Sequence, residues 1–172
     1  MAWQESIVEV LKKYRIRFIN YVPDAKNARI LELTRNDPHF QMVPLAREEE
    51  GVGIASGQAV GGQRGVLMMP TAGLGNSINA LASLPIAYKI PLPMFVGVRG
   101  DLGEFNQAQV GMGQAMPDIL KSLGIPTYRI TREEDAETIT DGALRICYAN
   151  ESPVAILLTN EMAGWKKGKT YL

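Results

Sequence analysis

The sequence predicts an α/β fold in three layers, with helices on both faces of a doubly wound, mostly parallel sheet of about six strands. Strand-like and helix-like patterns alternate about six times along the 172 residues. The connections between them are short, as in parallel sheets built from crossover helices. The segment from Gly65 to Met69 is a continuous apolar run, which suits a parallel strand buried on both faces. No repeat or linker divides the chain, so residues 1–172 read as one domain. Its core covers about 3–159, and a polar, lysine-bearing tail covers 160–172.

Trp3, Ile7, Val10, Leu11 and Tyr14 recur at helical spacing, so Trp3–Tyr14 is expected to be an amphipathic helix. Ile16–Val22 is a compact strand candidate that Pro23-Asp24 stops. Asn27–Arg35 repeats the helical period, and His39–Leu45 is a short strand candidate. A helix from Arg47 closes at Gly61-Gly62, and the apolar run to Met69 follows. Pro70 to Gly75 reads as a turn, Asn76–Tyr88 as a helix and Leu92–Val98 as a strand. The glycine- and glutamine-rich stretch Arg99–Ala115 shows no clear period and reads as a long loop. Its place after a strand end is where open α/β sheets put ligands. Pro117–Leu123 is a short helix with proline in its first turn. Pro126–Ile130 is a strand, Thr131–Asn150 a helix with a Thr131/Glu134 capping-box pattern, and Val154–Leu158 the last strand.

Composition excludes several functions. Net charge is zero with 18 basic and 18 acidic residues, and the basic ones are scattered. Nucleic-acid binding draws on a basic stripe, so no nucleic-acid partner is expected. The most apolar stretch, Ile90 to Val98, is too short to span a bilayer and contains Pro91 and Pro93, so no membrane association is expected. The N-terminal residues spread their charges along a helix, unlike a targeting segment. The single cysteine, Cys147, reads as a buried thiol, and a cytoplasmic location follows as the expectation.

Residues Arg47 to Gly57, REEEGVGIASG, carry the strongest signal. Carboxylates in a first helical turn favour the positive end of the helix dipole. Internal glycines each cost about 1 kcal/mol against alanine, so several together point to something approaching this backbone closely. Two readings stay open: a solvated cap with tight helix packing behind it, or a carboxylate held against a flat ligand or a partner chain. Gly73-Leu74-Gly75-Asn76 follows a strand and has the look of a phosphate-binding turn, although neither GxGxxG nor a P-loop pattern is present. Asp101 and Glu104 read as solvated loop charges, and His39, the one histidine, as structural or surface. A catalytic triad would need His39, and no GxSxG elbow accompanies it.

Arg47–Gly57 resembles the glutamate helix of thiamine diphosphate enzymes, in which a glutamate opens a small-residue helix and a glycine follows nine positions on. Glu48 and Gly57 have that spacing. The likeness continues through Gly73-Leu74-Gly75-Asn76-Ser77-Ile78-Asn79-Ala80-Leu81-Ala82-Ser83-Leu84, then Arg99-Gly100, Ala108-Gln109, Met112-Gly113 and Leu123–Pro126. Covering about Val22 to Leu158, these segments resemble alpha subunits of the sulfopyruvate and phosphonopyruvate decarboxylase family. Helical geometry leaves the choice of glutamate open. Glu48 shares a face with Val52, Ala55 and Ala59, while Glu50 lies over Ile54 and Gly57. The spacing to Gly57 selects Glu48, leaving Glu49 and Glu50 as a solvated turn or partner contacts.

The resemblance implies a pyrimidine-binding domain for thiamine diphosphate. Glu48 would hydrogen-bond the aminopyrimidine ring and so activate the cofactor toward a small 2-oxo acid. Thr71, Gly73, Asn76 and Gln109 are the further candidates for the cofactor and substrate pocket. In these enzymes the diphosphate and its metal are held by GDG and, further along, an asparagine pair. Gly100-Asp101-Leu102 lacks both the second glycine and the asparagines, so no metal ligand is assigned in this chain. The resemblance therefore implies a separate beta subunit that carries the diphosphate-binding domain and Mg2+, in a hetero-oligomer with the site between two chains. One departure stands out. The related alpha subunits carry a polar MQNSG turn where this chain has Met69-Pro70-Thr71-Ala72-Gly73, which bears on the choice of substrate. Alternatives to a decarboxylase are a carboligase subunit or a non-catalytic regulatory subunit of the same fold.

Overall fold

The structure is a computed structural model and describes residues 2–164. Its strands are β1 (Phe18–Tyr21), β2 (Gln41–Pro44), β3 (Gly65–Pro70), β4 (Pro93–Gly97), β5 (Thr127–Ile130) and β6 (Val154–Leu158). They form one sheet in the order β2-β1-β3-β4-β6-β5, and every neighbouring pair is parallel. The helices are α1 (Trp3–Lys13), α2 (Ala28–Arg35), α3 (Glu48–Val60), α4 (Thr71–Leu81), α5 (Gln107–Ser122), α6 (Ala136–Ala149) and the single turn α7 (Asn160–Ala163). The expected three-layer α/β architecture is present, and its sheet is wholly parallel.

Alternation along the central strands sorts their side chains into two cores. Ile19, Val66, Met68, Phe95 and Ile156 face α1, α2 and α6, meeting Ile7, Leu11, Ile30 and Leu144. Leu67, Met69, Met94, Val96 and Leu157 face α3, α4 and α5, meeting Val52, Leu74, Met116 and Leu120. Strands β3, β4 and β6 are buried along nearly their whole length, which is why they read as unbroken apolar runs. Cys147 lies in the first core, where burial pushes its thiol up to about 12 and leaves it chemically inert. His39 is structural: its ring nitrogen Nε2 lies 2.9 Å from the Ile16 carbonyl, and its ring packs edge-on against Phe40.

Several boundaries differ from the sequence expectation. Residues 70–75 form no turn, because Pro70 ends β3 and α4 starts at once with Thr71. That helix widens into a π turn over Ala82–Ile86, where Pro85 cannot donate its backbone hydrogen bond. The stretch 99–115 is a loop only as far as Asn106, whose side chain accepts from the Ala108 N–H and caps α5. Pro117 accordingly lies within α5 and not in a first turn. The helix expected from Thr131 begins at Ala136 after a 3-10 turn over Glu133–Asp135, and its N-cap is Asp135 without a side-chain cap. Within the expected polar tail, Asn160–Ala163 is helical, and residues 165–172 lie outside the described residues.

Candidate active site

Chain order reverses between β1 and β3. From β1 the chain steps outward to β2, then returns across β1 through α3 to form β3. Such a switch point opens a crevice at the carboxyl ends of the strands, the usual ligand position in open α/β sheets. Four segments end there: the β1–α2 loop, the start of α3, the β3–α4 junction, and the loop from Val98 to Asn106.

Glu48 is the first residue of α3 and is half-buried, whereas Glu49 and Glu50 are exposed. Glu50 is more than a solvated charge, because its Oε2 accepts the Ala46 N–H at 2.8 Å and fixes the entry into the helix. The face that Glu48 shares with Val52 and Ala55 is the buried one. Gly51 brings this helix onto the sheet, since a Cβ there would stand 2.5 Å from Leu67 Cδ1 and 2.6 Å from Leu45 Cδ1.

The structure brings Glu48 and Gly73 together. A Cβ on Gly73 would lie 2.2 Å from Glu48 Cγ, 2.4 Å from its Cδ and 2.5 Å from its Oε1. Gly73, in the first turn of α4, is therefore a seat for the glutamate side chain. That turn is stiffened by the Ser77 hydroxyl, which donates to the Gly73 carbonyl at 2.8 Å. Among the described residues the seated carboxyl takes no hydrogen bond and forms no ion pair. It is a half-buried acceptor held in place by packing alone.

Thr71 is fully buried, and its hydroxyl is engaged within the chain. It donates to the Gly97 carbonyl at 3.1 Å and accepts the Arg99 N–H at 2.8 Å, clasping α4 to the end of β4. These two bonds hold the helical turn that carries Gly73. Asn76 is exposed on α4. Gln109 stands on α5, half-buried, with its Oε1 buried and, among the described residues, without a hydrogen-bond partner.

Sequence reasoning missed the order of the loop after β4. Glu104 is not a solvated charge: its carboxylate receives Arg99 Nε at 2.7 Å and Arg99 Nη2 at 3.0 Å, and both side chains are largely buried. The Arg99 guanidinium, with the Asn106 and Gly100 N–H groups against the opposing effect of burial, holds the Glu104 carboxyl down to about 2. Asp101 pairs with Arg129 at 2.7 Å. The helix behind the loop approaches very closely, because a Cβ on Gly113 would stand 1.9 Å from the Arg99 carbonyl oxygen. Gly75 likewise admits the Met112 side chain, 2.7 Å from where its Cβ would stand.

A pH dependence follows. The folded Glu104 pKa lies below the ordinary 4.5, so its stabilising effect is complete above that value and is lost as pH falls through about 2. The shift is worth roughly 2–3 kcal/mol, so Glu104→Gln should lower the melting temperature near neutrality. The gap between wild type and variant should close on acidification to about pH 2. A gap that is constant with pH would contradict this account of the loop.

Comparison with known proteins adds a family. Residues 1–121 match the model described as "Thiamine pyrophosphate enzyme, N-terminal TPP binding domain". The chain is 42% identical over 159 residues to the protein named sulfopyruvate decarboxylase subunit alpha from Methanothermobacter thermautotrophicus, covering 90% of this chain and 93% of that one. It is 33% identical over 156 residues to a protein named sulfopyruvate decarboxylase from Methanosarcina acetivorans, covering 91% of this chain and 40% of that one. Among solved structures, a 2-oxoglutarate:ferredoxin oxidoreductase from Magnetococcus marinus shares the fold, with a TM-score of 0.71 at 12% identity. That match covers 95% of this chain and 29% of the solved one.

Proposed function

The chain belongs to the thiamine pyrophosphate enzymes, whose N-terminal TPP binding domain it carries, and on that premise we propose that it is the alpha subunit of a two-chain, thiamine diphosphate-dependent 2-oxo acid decarboxylase. The substrate is a small 2-oxo acid of the sulfopyruvate or phosphonopyruvate type, and the reaction runs in the cytoplasm. The observation that carries this reading is the Glu48 carboxyl, seated on Gly73 at the strand ends with no hydrogen bond from any described residue.

These residues fit the cofactor's aminopyrimidine. A flat heterocycle with a basic ring nitrogen and an amino group needs a carboxyl that shares a proton, acceptors for its N–H groups, and walls without bulk. Glu48 supplies the first, and Gln109 Oε1, which has no hydrogen-bond partner among the described residues, an acceptor. Gly73 supplies a wall, and Asn76 stands at the rim. When bound, thiamine diphosphate supplies the carbon nucleophile that adds to the keto carbon and takes up the electron pair released with carbon dioxide. Glu48 would share a proton with the ring nitrogen and so favour the imino tautomer of the amino group on the same ring, whose nitrogen can then accept a proton. Thr71 keeps the Gly73 turn in place beneath that carboxyl.

The diphosphate and Mg2+ are assigned to the beta subunit. Among the described residues no group of three histidine, cysteine or carboxylate side chains could hold a metal. The matching region fills 40% of the Methanosarcina relative, which leaves room in that single chain for the other half. The outer face of α3 supports a partner here. A Cβ on Gly53 or Gly57 would have nothing within 4 Å, and Val60 on the same side is 78% exposed. Two outward glycines cost the helix about 1 kcal/mol each and meet nothing among the described residues, so the gain lies in a second backbone that comes close. Gly57→Leu should leave the isolated chain as stable as before or more so, while weakening subunit association at least tenfold in sedimentation experiments.

The test of the reading is reconstitution. The chain and its partner, mixed with thiamine diphosphate and Mg2+, should release carbon dioxide from sulfopyruvate or phosphonopyruvate, and neither chain should do so alone. Product analysis showing carbon–carbon bond formation without net decarboxylation would replace the proposal with the carboligase reading.

A further inference from the structure

The opposite end of the sheet carries a feature that the Glu48 site does not use. Lys13, Arg15, Arg17 and Arg64, with His39, line an open groove of about 630 Å3. Arg17 directly precedes β1 and Arg64 directly precedes β3, while Lys13 and Arg15 stand at the carboxyl end of α1. Since β1 and β3 are parallel, the groove lies at their amino ends, away from the carboxyl ends where Glu48 stands. Its size falls within the roughly 300–1,000 Å3 of small-molecule sites. Basic residues that look scattered along the chain are gathered here by the fold.

Among the described residues no carboxylate lines this groove, and the acidic groups beside it are already engaged. Asp141 receives both Lys13 and Arg145, so Lys13 adds little free charge. Asp37 receives the Lys12 ammonium and the His39 N–H. Arg15 and Arg17 are exposed and form no ion pair among the described residues. Arg64 is held in direction: its Nη1 donates to the Tyr14 carbonyl at 2.9 Å, and its guanidinium lies 4.2 Å from the Tyr148 ring centroid. The backbone beneath is fixed as well. The Arg64 carbonyl accepts the Arg17 and Phe18 N–H groups at 2.8 and 3.2 Å, and the Arg17 carbonyl accepts the Gln41 N–H at 2.7 Å. Guanidinium groups present planar N–H donors that match phosphate oxygens in pairs. Three of them around a groove without a counter-charge make a receptor for an anion of several charges.

We propose that this groove binds a small anion carrying two or more phosphate groups, with Arg15, Arg17 and Arg64 as its receptors. It is one local cluster on a chain of zero net charge, which favours a compact ligand over nucleic acid, whose binding draws on a longer basic stripe. Such a site is independent of the decarboxylase reading, since it needs neither Glu48 nor a partner chain. Arg15 takes the left-handed conformation that ends α1, with φ at 57°. Glycine adopts that conformation without strain, so Arg15→Gly removes the cation and relaxes the backbone at once.

Calorimetric titration of inorganic tripolyphosphate and of ATP into the full chain tests this. Saturable one-to-one binding of tripolyphosphate, of ATP or of both is expected, weakening as salt rises. Arg17→Gln and Arg15→Gly should each weaken it roughly tenfold or more, as for loss of hydrogen bonds to a charged group. Arg15→Gly should also raise the melting temperature by about 2 °C, so that lost binding is not lost folding. Lys121→Gln removes an exposed cation on α5 and should bind as wild type does. Tighter binding of ATP would assign a nucleotide to the groove, and equal or tighter binding of tripolyphosphate an inorganic polyphosphate. Absence of saturable binding of both overturns the site, as does a loss that Lys121→Gln reproduces. An oligonucleotide that binds more tightly than either anion and needs the same arginines overturns the small ligand in favour of nucleic acid. Turnover of the assembled two-chain enzyme, without added anion, should be unchanged in Arg17→Gln, so failure of the groove and failure of the decarboxylase reading are told apart.

Discussion

Exchange of Glu48 for glutamine in the assembled enzyme is expected to lower kcat by roughly 10²–10⁴-fold, the range that a positioned acid or base contributes. Glutamine keeps the length and the packing of the side chain, so the seat on Gly73 stays filled. What disappears is the ability to hold a proton between the side chain and a ring nitrogen. Since Glu48 is half-buried and makes no ion pair among the described residues, stability should move by no more than about 0.5 kcal/mol. Steady-state kinetics beside a melting curve checks both statements. Glu50→Gln is the matched control: its carboxylate binds the Ala46 N–H, so the change should touch stability and leave turnover near wild type.

Alanine at Gly73 should be nearly as damaging while adding a single methyl group. On helix propensity alone the change favours α4 by about 1 kcal/mol. The new Cβ, however, would stand 2.2 Å from Glu48 Cγ, a middle atom of that side chain and not its mobile tip. The glutamate must therefore leave its seat. A displacement of about 1 Å at a reacting group costs on the order of 100-fold, and that is the loss expected in kcat for Gly73→Ala. The double variant carries the sharper statement. If both substitutions act through one carboxyl, Glu48→Gln with Gly73→Ala should be no slower than Glu48→Gln alone. Multiplied losses would show that Gly73 acts on something else. Pairing Gly73→Ala with Glu48→Ala should let the helix-propensity gain appear in the melting temperature, because the clash is then gone.

Much of this was legible in the sequence, for reasons that differ by element. The runs at Gly65–Met69 and Val154–Leu158 announced their strands because both faces of each are covered. The α3 region announced itself through composition, although its hydrophobic period could not choose between Glu48 and Glu50; the structure separates them by burial and by the Ala46 contact. Glycine hid the rest. Gly73 and Gly75 made the start of α4 read as a turn, yet they serve there to admit Glu48 and Met112. Gly111 and Gly113 concealed the start of α5, where Gly113 lets the helix touch Arg99 and Gly100. At Gly73, Gly75 and Gly113 an absent side chain marks a contact made by another element, and a single-sequence period has no term for that.

A cofactor site divided between two chains, with Glu48 as this chain's working group, is what we propose. Calorimetric titration of thiamine diphosphate, in the presence of Mg2+, into the chain alone, the partner alone and their mixture tests it most directly. Tight binding should appear only in the mixture. Tight binding by the isolated chain would contradict the divided site.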